Sequence, residues 1–298
     1  MPKVTVIIPN YNHAQYLSQR LDSIFNQTYQ NFEVIILDDC STDNSKDIIE
    51  KYRTNPKVSH IIYNNTNSGL PFKQWAKGAN LAKGKYIWIA ESDDWAELNF
   101  LEEMTSVLDK RPNIVLAYCA INEVEEDQIT RIHKTYSKDR IIKGKSFIKS
   151  KMVSSNAVYN ASSALFRKTV LDAISSEFQT YKGCGDWLFW IEICQHGDVF
   201  FSSKRMDFFR QHKSNTTTNN VKSGNCFLEA WNIYRIIKQK KLLSLFHRLE
   251  MPLVCYEKCK IPFPQTASLW RKEISFPILS KIVYKLLLTS WKIKNKLF

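Results

Sequence analysis

The chain has 298 residues, 44% hydrophobic and 24% charged, enough to bury a sizeable core in one large domain or a domain with an appendage. Its seven cysteines, odd in number and without a CxxC pair, argue against a disulfide framework and a zinc ribbon; Cys255 and Cys259 read as ordinary thiols. The net charge of +13 is uneven, with +10 carried by residues 238–298, and no apolar run reaches the roughly 18–20 residues needed to span a bilayer.

VTVIIP (4–9) predicts a buried strand. With six residues and no small-residue cleavage site after it, it does not read as a signal peptide, and a reducing, cytoplasmic compartment is expected. A loop YNHAQ leads to a helix with apolar spacing at Leu17, Leu21, Ile24 and Phe25. FEVIILDD (32–39) is the second strand, and Ser41 and Thr42 are the expected N-caps of the helix after it. VSHIIYN (58–64) is the third strand, FKQWAKGANLAKG (72–84) a helix ending on Gly84, and KYIWIAE (85–91) the fourth strand. A helix over 99–112 stops at Pro112 and is followed by a strand over 114–124.

This alternation predicts an α/β fold with a mostly parallel sheet flanked by helices. Ligands of such sheets bind beyond the carboxyl ends of the strands. The pairs Asp38-Asp39 and Asp93-Asp94 both fall there. Further on, a short strand is expected around 163–167, an aromatic helix over 186–197 and one or two strands over 198–212. Beyond Asn220 the chain reads as helical, interrupted by Pro252, Pro262 and Pro264.

Four constellations carry chemistry. In LDDCSTDNS the acids and hydroxyls can cap a helix, or Asp39 can accept hydrogen bonds from a base or ribose, beside Pro9, Asn10 and a Tyr11 able to stack. ESDDW crowds carboxylates directly after a buried aromatic strand; hard oxygen ligands there suit Mg²⁺ or Mn²⁺ bridging a diphosphate. In GCGDWLFWIEI, Asp186 reads either as a helix cap or as a general base beside aromatic surfaces. In FFRQHKSNTT, His212 follows a strand and suits a metal or phosphate contact.

Taken together and in order, VTVIIPNYNHAQYL, LDDCSTDNS, AKGKYIWIAESDDW, GDWLFW and RQH resemble family 2 glycosyltransferases of the GT-A fold, over about residues 1–220. The resemblance implies transfer of a sugar from a nucleotide diphosphate donor, for which UDP is the expected nucleotide, with inversion at the anomeric carbon. It implies that Asp39 contacts the base, Asp93 lies near ribose and metal, Asp94 coordinates Mn²⁺ or Mg²⁺, Asp186 is the catalytic base and His212 binds metal or diphosphate. One departure is that Trp75-Ala76 stand where family members often carry Arg-Asn, so Lys73 or Lys77 would supply the missing charge toward the donor. A sugar-nucleotide pyrophosphorylase is disfavoured because PNYNHAQYL contains no glycine to cradle phosphates. A non-catalytic nucleotide-sugar-binding or membrane-associated scaffold of the same fold is the rival from another class.

The expected division is a catalytic domain over 1–220, with a nucleotide-binding half (1–125) and an acceptor half (126–220), then a helical basic extension over 221–298. In the extension, Trp270, Phe276, Ile278, Leu279, Ile282, Val283, Leu286, Leu287 and Trp291 interleave with Lys and Arg. This is either an amphipathic helix packed on protein or a segment lying on the anionic inner face of the plasma membrane, as suits a glycan or lipid-linked glycan acceptor. No nucleic-acid module accompanies the charge.

Overall fold

The structure, a computed structural model, describes residues 1–212, 216–274, 277–282 and 285–286. The strands are β1 (Val4–Asn10), β2 (Phe32–Asp38), β3 (Val58–Tyr63), β4 (Tyr86–Ile89), β5 (Trp95–Ala96), β6 (Ile114–Glu125), β7 (Gln128–His133), β8 (Arg140–Lys143), β9 (Ala164–Arg167) and β10 (Asp198–Arg210). Helices α1 (Ala14–Phe25), α2 (Ser45–Glu50), α3 (Pro71–Leu81), α4 (Phe100–Lys110), α5 (Gly144–Phe147) and α6 (Gly185–Ile193) lie among them. Helices α7 (Thr216–Ser223), α8 (Asn225–Gln239), α9 (Leu245–Cys259) and α10 (Pro264–Glu273) follow.

The strands form one sheet in the order β3-β2-β1-β4-β9-β6-β10-β5, with β7 on β6 and β8 on β10. Strands β3, β2, β1 and β4 run parallel, joined by helical crossovers. The sheet is mixed rather than mostly parallel, because β9 enters antiparallel between β4 and β6. The β6–β7 hairpin adds another antiparallel pair; its two-residue turn, Glu126-Asp127, has φ of 48° and 60°, matching the twist of a tight hairpin. Residues 198–210 form one long strand that shifts register between Ser202 and Asp207 while pairing with β6. That irregularity matters below, because Asp207 leaves it buried.

Strands β1 and β2 are apolar on both faces and buried throughout, as expected for a sheet covered on both sides. Leu17, Leu21 and Ile24 of α1, with Phe100, Leu101, Met104 and Leu108 of α4, pack with Val6, Ile8, Trp88 and Ala90 in one cluster. A buried polar knot locks the parallel half. Glu33 accepts from the Thr5 hydroxyl at 2.6 Å and the Lys83 amide at 2.7 Å, and the Thr5 oxygen accepts from the Gly84 amide at 2.8 Å.

Two local expectations differ. Helix α2 starts at Ser45 with Asn44 at its cap position, not at Ser41 or Thr42. The Ser41 hydroxyl is used by Asp38 and by the Asn12 amide, which removes it from capping. Pro252 lies inside α9 instead of interrupting it; burial of Leu249, Met251, Pro252 and Leu253 offsets the lost hydrogen bond, a cost of about 3 kcal/mol.

The chain divides into two compact units, Met1–Phe147 with Asn156–Lys213, and Ile148–Ser155 with Ser214–Phe298. The second unit includes a short inner segment, Ile148–Ser155. Within that unit Trp270 is buried, lies 5.5 Å from the Tyr234 ring and donates its indole N–H to the Phe227 carbonyl. All seven cysteines are free thiols.

Gly84 is where α3 feeds β4, and a Cβ there would lie 2.4 Å from the Thr5 nitrogen and 2.6 Å from the Val4 carbonyl carbon. Gly84→Ala is therefore expected to lower stability by about 1–3 kcal/mol, read as a fall in the urea midpoint. An unchanged midpoint would mean that the β1 backbone yields at this point.

Candidate active site

The loops leaving β1 and β2 interlock at the carboxyl edge of the sheet. Asn12 and Cys40 both adopt left-handed backbone, φ 56° and 65°. The Asn12 side chain accepts from the Thr42 amide at 2.7 Å, and Asp43 accepts from the Ala14 amide at 2.8 Å, tying the second loop to the start of α1. Pro9 is buried within β1 opposite Leu37, whereas Tyr11 is 44% exposed. Asp39 is buried, and its oxygens accept from the Asn64 amide, the Ser68 amide and hydroxyl, and Gln74 Nε2. It fastens the 64–70 loop to α3, and contact with a base requires one of these donors to exchange. Lys73 is exposed on α3, while Lys77 donates to Asn64 Oδ1 at 2.6 Å.

The ESDDW stretch splits into separate environments. Asp94 turns inward: its carboxylate accepts from Asn160 Nδ2 at 2.8 Å, the Ser162 hydroxyl at 2.7 Å and the Arg210 amide at 3.1 Å. The same Asn160 nitrogen donates to Asp207 at 2.8 Å, so one amide separates two buried carboxylates. Burial, then the neighbouring Asp93 charge, pushes Asp94 up to about 7. Asp207 is raised as well, by burial and then by Asp94. Asp94, the metal ligand that the resemblance implies, has both oxygens engaged within the fold.

Asp93 takes the open side. Its Oδ2 lies 3.0 Å from His212 Nε2, and candidate ligand atoms of His13, Asp93 and His212 lie within 4.8 Å of one another. Burial would raise the Asp93 carboxyl, but the His212 hydrogen bond and the two nearby imidazoles outweigh it and hold it below the usual range. His13 is itself lowered by burial, against the pull of Asp93. Arg210, two residues before His212, lies with its guanidinium 4.5 Å from the Tyr16 ring and 4.6 Å from the Trp95 ring, and donates to the Asp93 carbonyl at 3.0 Å. The end of β10 is thereby held against the acid loop. An imidazole nitrogen and a carboxylate oxygen this close, with His13 beside them, are a donor set that could hold one divalent ion.

Glu91 accepts from the Trp75 indole at 2.8 Å, and burial followed by Asp93 pushes it up to about 8. Behind the acids lies Arg20, fully buried, its guanidinium 4.8 Å from the Trp88 ring and its three side-chain nitrogens without hydrogen-bond partners among the described residues. It faces Asp94, Asp207, Glu91 and Asp93 electrostatically. The available signal was its spacing: Arg20 falls on the Leu17, Leu21, Ile24 stripe of α1, where a charge is out of place.

Asp186 is the second residue of α6, not its cap, which is Cys184. Its Oδ1 accepts from the Trp187 amide and its Oδ2 from Asn156 Nδ2, both at 2.7 Å. Asn156 opens the segment that also carries Asn160 and Ser162, so one stretch of chain holds both Asp186 and Asp94.

Carboxylates and imidazoles gathered beyond the carboxyl ends of β1, β4 and β10 define a ligand site of the open α/β class. The sequence model described as glycosyl transferase family 2 matches residues 5–175, more than half of the chain, and the chain belongs to that family. It is similar to the poly(ribitol-phosphate) beta-N-acetylglucosaminyltransferase TarS of Staphylococcus aureus, 37% identical over 120 residues, covering 39% of this chain and 20% of that protein. TarP of the same species, described as the same kind of transferase, is 26% identical over 253 residues, covering 80% of this chain and 72% of TarP. Among solved structures, residues 1–349 of S. aureus TarS in complex with UDP-GlcNAc align with TM-score 0.58 at 22% identity, covering 72% of this chain and 60% of that one. The chain thus spans a fifth of the full length of TarS.

The Glu91 environment has a pH signature. The unfolded chain loses this proton near 4.5 and the folded chain near 8, so wild-type stability falls as pH rises through that window. Glu91→Gln keeps an acceptor for Trp75 and removes the titration. Its stability relative to wild type is expected to grow by about 1–3 kcal/mol between pH 5 and pH 8. A difference that stays constant across that range, measured by thermal melts, would take Glu91 out of the titration.

Proposed function

We propose that the chain is an inverting glycosyltransferase that moves a sugar from a uridine diphosphate donor to a hydroxyl of a cell-surface glycan, free or lipid-linked. The observation that carries this reading is the shared 156–162 segment, which clamps a carboxylate at a helix start and, four residues on, the inner half of the acid cluster. The TarS and TarP relatives support the choice of a polymer acceptor, and the UDP-GlcNAc complex of TarS supports the choice of donor nucleotide.

In this reading Asp186 accepts the proton of the acceptor hydroxyl as that oxygen attacks the anomeric carbon from the face opposite the leaving group. Asn156 and the Trp187 amide each donate to one Asp186 oxygen, which orients the carboxylate. Asp93 and His212 would hold Mn²⁺ or Mg²⁺, which when bound supplies positive charge to the departing diphosphate. Tyr11, exposed at the sheet edge, offers a face on which a base can stack. Asp39 keeps the 64–70 loop beside it.

Asp186→Asn is expected to leave donor affinity nearly unchanged in calorimetry while turnover, read as uridine diphosphate release from a panel of nucleotide sugars, falls about 10²–10⁴-fold. Turnover near wild type in that variant would remove Asp186 from the chemistry.

A second reading concerns location. No helix among the described residues is long and apolar enough to cross a membrane. Residues 277–282 are helical, and Ile278, Leu279, Ile282 and Leu286 are exposed at a spacing that gathers them on one helix face, with Lys281 and Lys285 beside them. Phe276, Val283, Leu287 and Trp291 lie outside the described residues. An apolar face edged with lysine favours an anionic lipid surface. The full chain is expected to float with vesicles containing phosphatidylglycerol, and a chain ending at residue 264 to float less. Equal flotation of the two would discard the membrane role of this segment.

A further inference from the structure

We propose that His13 completes, with Asp93 and His212, a site of two imidazoles and one carboxylate that selects late first-row divalent ions over Mg²⁺. The inference rests on the metal-dependent reading above for the position of the ion, and adds the residue that sets which ion is taken.

His13 occupies the cap position of α1, yet its side chain does not cap the helix. The exposed amide at that end is satisfied from elsewhere, by Asp43 on Ala14. The imidazole is thereby released from local duty and turns to the acid loop, where Nδ1 meets the Ser92 hydroxyl at 2.8 Å. Its ring lies 5.5 Å from the His212 ring at an interplanar angle of 84°. Two imidazoles at this distance, with a carboxylate oxygen between their reach, repel if both are protonated and cooperate if both are neutral donors to a cation.

The backbone that carries His13 is rigid. Asn12 is held in left-handed conformation by its bonds to Ser41 and Thr42, so the imidazole is placed before any ion arrives. Ser92 is the neighbour of Asp93 in sequence, and with Nδ1–H donating to its hydroxyl oxygen the ring is oriented from the adjacent residue and Nε2 is left unprotonated for the ion, the usual outer-shell arrangement for a ligating histidine. Ligand atoms within 4.8 Å of one another need only small side-chain rotations to sit about 2.0–2.2 Å from a common centre. The donor set decides the preference: Mg²⁺ takes oxygen ligands and keeps its waters, whereas two imidazoles favour Fe²⁺, Co²⁺ or Zn²⁺, with Mn²⁺ between.

The test uses the full chain, freed of metal by a chelator and without nucleotide. Calorimetric titration with Co²⁺, Mn²⁺ and Mg²⁺ is expected to give Co²⁺ affinity at least about 100-fold above Mg²⁺. His13→Ala should lose about 10–100-fold in Co²⁺ affinity with little change for Mg²⁺. Pulsed electron paramagnetic resonance of the wild-type Mn²⁺ complex should show nitrogen couplings from two imidazoles, falling to one in His13→Ala. A wild-type spectrum with a single imidazole overturns the proposal whatever the fate of the variant. If Asp93→Asn and His212→Ala abolish Co²⁺ binding while His13→Ala binds as wild type, His13 is not a ligand and the reading of the site as metal-dependent stands. If no form binds metal and donor turnover continues in chelator, both the ligand assignment and the metal-dependent reading fall.

Discussion

Four carboxylates, Glu91, Asp93, Asp94 and Asp207, converge on one buried guanidinium, Arg20, at the end of β4. Charges taken this far from water are stable only when paired or neutralised, and this cluster uses both routes. Arg20 supplies one positive charge from beneath, resting on Trp88. Burial raises Glu91, Asp94 and Asp207 toward their neutral forms, which removes much of the repulsion that four anions would generate. Only Asp93 is lowered, by the imidazoles beside it. The one lowered carboxyl of the cluster thus lies on the side where the histidines stand.

That arrangement explains the layout around it. Asn160 has two amide hydrogens and spends them on Asp94 and Asp207, holding two like groups apart without adding charge. Asp207 follows the register shift in β10, is paired with Ala96 and Ile121, and is the strand residue that this amide reaches. The 156–162 segment then becomes a rigid frame, because its Asn160 and Ser162 are fixed from below by the acid cluster. Asn156, at the other end, passes that rigidity to Asp186. A carboxylate at the start of a short helix is seldom so constrained by α6 alone.

Much of the fold was legible because each half of the sequence keeps a clear period. The short apolar runs 4–9, 32–38 and 86–89 are strands, and the helices between them start and stop close to their signals. Asp186 and His212 drew notice in the sequence for the same reason, lying at element ends where polar groups follow buried ones. What could not be read were partnerships across long separations. Asn160 meets Asp94 from 66 positions away, and Arg210 meets Asp94 from 116, with no local pattern to announce either. Within ESDDW the order of roles was also hidden. Adjacent residues Asp93 and Asp94 face opposite environments, and only the tertiary packing decides which of them looks outward. The antiparallel insertion of β9 escaped similarly, since the run Ala164–Arg167 has the same local character whichever direction it enters the sheet.

The Trp75 position follows from this electrostatic arrangement. Where the family resemblance leads one to expect an arginine, this chain has an indole that donates one hydrogen bond to Glu91. A cation there would favour an ionised Glu91, and an indole N–H is a neutral donor suited to a carboxyl that burial has pushed up to about 8. The exchange removes one positive charge and, at neutral pH, one negative charge from the same corner. Trp75 also packs against Phe72, Phe189 and Trp190, so α6 is seated by the side chain that donates to Glu91. Replacing Trp75 by a cation would alter both the seating of α6 and the balance that leaves Asp93 as the one lowered carboxyl of the cluster.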